Sequence, residues 1–110
     1  MDELRACRRR IDAIDDQIVD LLVQRFGICQ KVAAIKHRHA IAVRLPGRIE
    51  EVRARCAARA DACGVSGDFV ARFYDLLIEE TCLTEERLID RWNGVAHGTA
   101  GDKEPPESDI

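Results

Sequence analysis

The stretch that decides the fold runs from Leu4 to Lys36: LRACRRRIDAIDDQIVDLLVQRFGICQKVAAIK. Its apolar residues fall at Leu4, Cys7, Ile11, Ile14, Ile18 and Leu21, then at Ile28, Val32 and Ile35. That alternation of three and four is the seam of one long helix. Asp2 stands where it can cap the start. Gly27 does not break the pattern, because a lone interior glycine costs only about 1 kcal/mol. Such a helix measures about 50 Å, whereas a compact domain of about 100 residues has a radius of gyration near 13 Å. One small chain cannot cover that seam, so the expected assembly is an obligate dimer of two copies.

Working outward, Lys36 to Leu45 reads as a loop. Pro46 suits the first turn of a second helix, with Ile49, Val52, Cys56, Ala60 and Cys63 on one face and Gly64 as its stop. Ser66 can cap a third helix, whose stripe runs Val70, Phe73, Leu77, Leu88 and Trp92 and which Asn93-Gly94 should end. The expected domain is therefore 1–93. Residues 94–110, through Glu104-Pro105-Pro106-Glu107-Ser108, hold too little apolar surface to fold and read as a disordered tail. The fold class is all-α, three helices per chain, one of them very long.

Composition narrows the function. With 110 residues, 46% of them apolar, and only 7 Gly and 3 Pro, the chain suits one helix-rich domain. A net charge of −3 argues against a nucleic-acid binder, which carries a strong basic excess. The 5 cysteines form no CxxC pair and fall within helical patterns, where free Cys acts as a small buried apolar residue. His37 and His39 lack partners at ligand spacing, so no metal site is expected. Charge begins at Asp2 without a following apolar stretch, and no run approaches the roughly 18 residues of a membrane span. A cytoplasmic, reduced protein is the expectation.

Polar residues interrupt the apolar stripes. Arg25 falls in step between Leu21 and Ile28, where it must snorkel to solvent, pair with a buried acid, or hold an anion. Lys36 lies about 20° from it around the helix and about 16 Å along it, so both cations project from one face. Arg8 is about 100° away and roughly 25 Å distant. It cannot join that site within its own chain, but it could join the partner's in an antiparallel dimer. In the third helix Thr81 and Glu85 fall inside the apolar stripe, and a buried glutamate must pair or keep its proton.

With these residues in place, the chain resembles the all-helical chorismate mutase family. The likeness covers about Leu4 to Trp92, through Arg8-Arg9-Arg10-Ile11-Asp12-Ala13-Ile14-Asp15, Leu21-Leu22-Val23-Gln24-Arg25, Lys36, Val43-Arg44 to Arg48, and Phe69 to Glu85. It implies an intertwined helical homodimer with two equivalent sites, no cofactor, and a dianionic substrate. The implied reaction is the [3,3] Claisen rearrangement of chorismate to prephenate, driven by conformational restraint and charge stabilisation. By position, Arg25 and the partner's Arg8 would clamp carboxylates, and Lys36 would reach the ether oxygen and a carboxylate. Arg48 would be a further substrate cation, Thr81 a hydroxyl meeting a carboxylate, and Glu85 the second donor to the ether oxygen.

Three departures accompany the resemblance. Members usually carry an acid directly after the arginine matching Arg48, where this chain has Ile49; Glu50 points about 100° away and is no substitute. An acid common in the preceding loop is replaced by Leu45. Glu85 stands where many relatives have glutamine. Relatives acting on other chorismate-like compounds also lack the first acid: 4-amino-4-deoxychorismate mutases, similar in Leu45-Pro46-Gly47-Arg48-Ile49 and in Cys82 to Glu85, and isochorismate pyruvate lyases. A non-catalytic helical dimer is the alternative outside enzymes, and retention of Arg8, Arg25, Lys36 and Arg48 argues against it.

Overall fold

The computed structural model describes residues 1–98. These form three helices, α1 (Asp2–Arg38), α2 (Pro46–Ala62) and α3 (Gly67–Gly98), and no strand occurs among the described residues. The all-helical expectation holds, with α1 at 37 residues, about 55 Å long.

Helix ends follow local chemistry and depart from the sequence reading at three points. Asp2 does not cap α1. It lies in the first turn with Glu3, where both carboxylates face the positive end of the helix, and the Met1 carbonyl accepts the Arg5 amide at 3.1 Å. The expected loop from Lys36 is also shorter, because α1 continues to Arg38. It stops there through Ala40, in the left-handed region at φ 53°, with Ile41 N–H bonded back to the Lys36 carbonyl at 2.8 Å. The end of α2 repeats this geometry around Gly64, at φ 82°, with Val65 N–H on the Ala60 carbonyl at 2.9 Å. Only the second carries the glycine that announces such an end. Finally, α3 passes through Asn93-Gly94 and reaches Gly98, since one interior glycine is a small cost. Residues 99–110, most of the expected tail, lie outside the described residues.

Other signals acted as expected. Leu45 is extended, as a residue before proline should be, and α2 opens at Pro46. The Ser66 hydroxyl accepts the Phe69 amide at 3.1 Å, capping the start of α3. The Asp61 carboxylate accepts the Gly67 amide at 2.7 Å. A Cβ at Gly67 would run into that carboxylate and force it to shift, so glycine suits this junction.

Helix α3 lies between the other two and packs on both. The pairs Arg25–Thr81, Lys36–Glu85 and His37–Asn93 advance together, so α1 and α3 run parallel. Arg44–Glu86 and Arg53–Asp75 advance oppositely, so α2 returns antiparallel. The core is small: Val52, Ile78 and Cys82, with Val43, Ile49, Cys56 and Tyr74 packed around them. Phe73, expected in the stripe, is 38% exposed, while its neighbours Ala71 and Leu77 are buried. The first half of α1 finds no cover at all: Ile11 is 55% exposed and Leu21 61%. The radius of gyration is accordingly 18.4 Å, well above the roughly 13 Å of a compact chain this size.

Candidate active site

Where α1, the 39–45 segment, α2 and α3 converge, they enclose a cavity of about 240 Å³. Its apolar wall comes from Ile28, Val32, Val43, Leu45, Ile49, Val52 and Ile78, and its polar residues are Arg25, Lys36, Arg48, Thr81 and Glu85. Five of the six residues expected to form a site therefore share one cavity. Arg8 does not; it is exposed on α1, roughly 25 Å before Arg25.

Thr81 and Glu85 are buried at 7% and 4% exposure, and each meets one cation. Arg25 Nη1 donates to Thr81 Oγ1 at 2.9 Å, while its guanidinium carbon lies 5.9 Å from the Tyr74 ring centroid, within cation–π range. Arg25 thus neither escapes to solvent nor pairs with an acid. Lys36 Nζ donates to Glu85 Oε1 at 3.0 Å and to the Val43 carbonyl at 2.7 Å. On α1 the two cations begin about 16 Å apart, yet their acceptors sit one turn apart on α3, about 6 Å. The long side chains converge on neighbouring turns of α3, which brings two positive groups into the lining of one largely apolar cavity.

Arg48 is different. Its guanidinium pairs with Glu51 and its side chain is 62% exposed, so it stands at the mouth of the cavity. Thr81 donates its own hydroxyl hydrogen bond to the Leu77 carbonyl, 2.9 Å away. Burial pushes the Glu85 carboxyl above the usual carboxylate range, while the hydrogen bond and charge of Lys36 and the charge of Arg25 pull it back. Its stability contribution therefore falls as pH rises from its ordinary value through the raised one, because the folded chain holds that proton more tightly.

Sequence reasoning missed Cys29, Cys82, Tyr74 and the Val43 carbonyl. Cys29 follows Arg25 by one helical turn, and Tyr74 continues the spacing of Ile78, Thr81 and Glu85, so a helical wheel could have found both. Burial raises both pocket thiols above their ordinary range, Cys29 and Cys82 alike. A backbone acceptor leaves no trace in sequence. Among the described residues no cluster of His, Cys, Asp or Glu could hold a metal ion, and no helix is long and apolar enough to cross a membrane.

The family described as Chorismate mutase type II matches residues 7–86. Among curated proteins, the chain is 36% identical to a 4-amino-4-deoxychorismate mutase of Streptomyces pristinaespiralis, over 90% of this chain and 72% of that protein. It is 32% identical to a 4-amino-4-deoxychorismate mutase of Streptomyces venezuelae, over 81% and 86% respectively. A T-protein of Enterobacter agglomerans matches at 29% identity over 76% of this chain but 22% of its own length. No solved structure gives a significant match.

Proposed function

This chain belongs to the type II chorismate mutase family and is an isomerase of that kind, and from that premise we propose that it rearranges chorismate to prephenate. The observation that carries the reading is the pair of cations, Arg25 and Lys36, held on buried Thr81 and Glu85 in the lining of one largely apolar cavity. The reaction breaks the ether C–O bond as a C–C bond forms, with no nucleophile and no net proton transfer. What it needs is a substrate folded into a chair and a donor facing the oxygen that gains charge. Lys36 is that donor. Arg25 grips a carboxylate, for which a guanidinium fork is well shaped, and Arg48 draws the dianion in at the mouth.

The clamp is completed by the partner's Arg8 in a homodimer. Support comes from the uncovered α1 seam, including Ile11, Ile14, Ile18 and Leu21, and from the small core of a single chain. Two observations favour a second reading, the same rearrangement of 4-amino-4-deoxychorismate. Ile49 and Leu45 line the cavity as apolar residues, offering the ring C4 substituent no charged acceptor, and two relatives carry that activity in their names. Incubation with chorismate, isochorismate and 4-amino-4-deoxychorismate separately, with product identification, tests both. Prephenate from chorismate is the expected result; preferential turnover of the amino compound establishes the second reading. Pyruvate released from isochorismate, or no product from any, overturns both.

Glu85 supplies a pH signature. Its Oε1 accepts from Lys36, so a proton on the other oxygen could face the ether oxygen. A carboxylate there would repel the developing charge and has nothing to donate. Turnover should therefore fall as pH rises through the raised pKa of Glu85, and Glu85→Gln should flatten that limb by supplying a permanent donor. Superimposable pH–rate profiles for the two proteins would remove Glu85 from the ether oxygen.

A further inference from the structure

The segment between α1 and α2 bends at Val43 and is extended at Leu45. Val43 and Leu45 line the cavity. Arg44, between them, turns outward onto α3. Its Nη1 and Nη2 donate to Glu79 Oε1 and Oε2 at 2.7 and 3.1 Å, and its Nε and Nη2 donate to Glu86 Oε2 and Oε1 at 3.0 and 3.1 Å. One planar guanidinium thus spans two carboxylates set two turns apart on α3. An isolated exposed ion pair contributes little, but two bidentate contacts sharing a guanidinium form a geometrically fixed network. The hydrogen bonds from Arg44 hold the Glu79 and Glu86 carboxyls below the usual range, so the clamp is fully charged near neutral pH.

The inner side of this segment carries the consequence. The Val43 carbonyl is the second acceptor of Lys36 Nζ, at 2.7 Å, and Glu85 is the first. Glu85 and Glu86 are adjacent on α3, so one end of the clamp and the acceptor of Lys36 share one turn of one helix. We propose that Arg44 is a positioning residue: by strapping the segment to Glu79 and Glu86, it fixes the Val43 carbonyl that aims the Lys36 ammonium into the cavity. This rests on Lys36 being the donor to the reacting oxygen.

The test is a double-mutant cycle on the full chain, joined to hydrogen exchange. Arg44→Ala should keep its helical circular dichroism, exchange the 41–45 amides faster, and lose about tenfold in kcat with KM little changed, since misplacing a donor by about 1 Å is enough for such a loss. Arg44→Lys should recover little, because an ammonium cannot serve two carboxylates as a fork. In a Lys36→Ala background the Arg44→Ala loss should almost vanish, because coupled residues are non-additive. Full kcat in Arg44→Ala, an equal loss in both backgrounds, or unchanged 41–45 exchange would each overturn the proposal. If the wild-type chain turned over none of the three substrates, the functional reading would fail, and the exchange arm would still decide whether Arg44 straps the segment.

Discussion

Lys36→Ala is expected to lower kcat by about 10²–10³, as loss of one donor to a developing oxyanion does, with a smaller change in KM. The distinction follows from timing. The ether oxygen acquires most of its charge as the bond breaks, so the Lys36 contact strengthens only on the way to the transition state. Arg25 grips charge that is present throughout, so Arg25→Ala should raise KM as well as lower kcat. Removing Lys36 also takes away the hydrogen bond and charge that pull the Glu85 carboxyl back, so the buried group loses a partner and holds its proton more tightly. Turnover must accordingly be read at a temperature where circular dichroism shows the variant folded. Wild-type turnover in a folded Lys36→Ala protein would end its assignment.

Arg8→Ala and Arg25→Ala proteins, each nearly inactive alone, should regain activity when their subunits exchange. In a mixed dimer one site combines an intact Arg25 with an intact Arg8 from the other subunit, and the second site lacks both. Random exchange makes half the dimers mixed, so recovery should approach about a quarter of wild-type activity per subunit for a symmetric two-site dimer. Native mass spectrometry must confirm that mixed dimers form. If they form without activity, Arg8 does not cross between subunits.

Much of this was legible because apolar periodicity and termini follow strong local rules. The α1 seam, Pro46 at the start of α2, Gly64 beyond its end and Ser66 before α3 each obey one. Thr81 and Glu85 stood out as polar residues in an apolar stripe, and both are buried. The misses have the opposite character. Ala40 adopts a left-handed conformation with no glycine or asparagine to mark it, so the end of α1 was placed too early. Gly94 looked like a stop, but one interior glycine costs a helix only about 1 kcal/mol, and α3 runs through it. Phe73 fits the period yet lies 38% exposed, as a stripe cannot say which edge the neighbouring helix covers. Arg44 was invisible because its role depends on two glutamates that only the tertiary fold brings to it.

Thr81 has one hydroxyl hydrogen, and it is committed to the Leu77 carbonyl while its lone pairs receive Arg25. A carboxylate seeking that hydrogen would compete with the backbone of α3 itself. Meeting such a ligand would require the hydroxyl hydrogen to turn about the Cβ–Oγ bond, away from its own helix. Such a turn leaves the Leu77 carbonyl with its other partner, the Thr81 amide of the helix ladder. Threonine's methyl restricts χ1, which places the oxygen that receives Arg25 while leaving the hydroxyl hydrogen free to turn. The methyl thus fixes the bearing of Arg25, and the hydrogen remains the movable part.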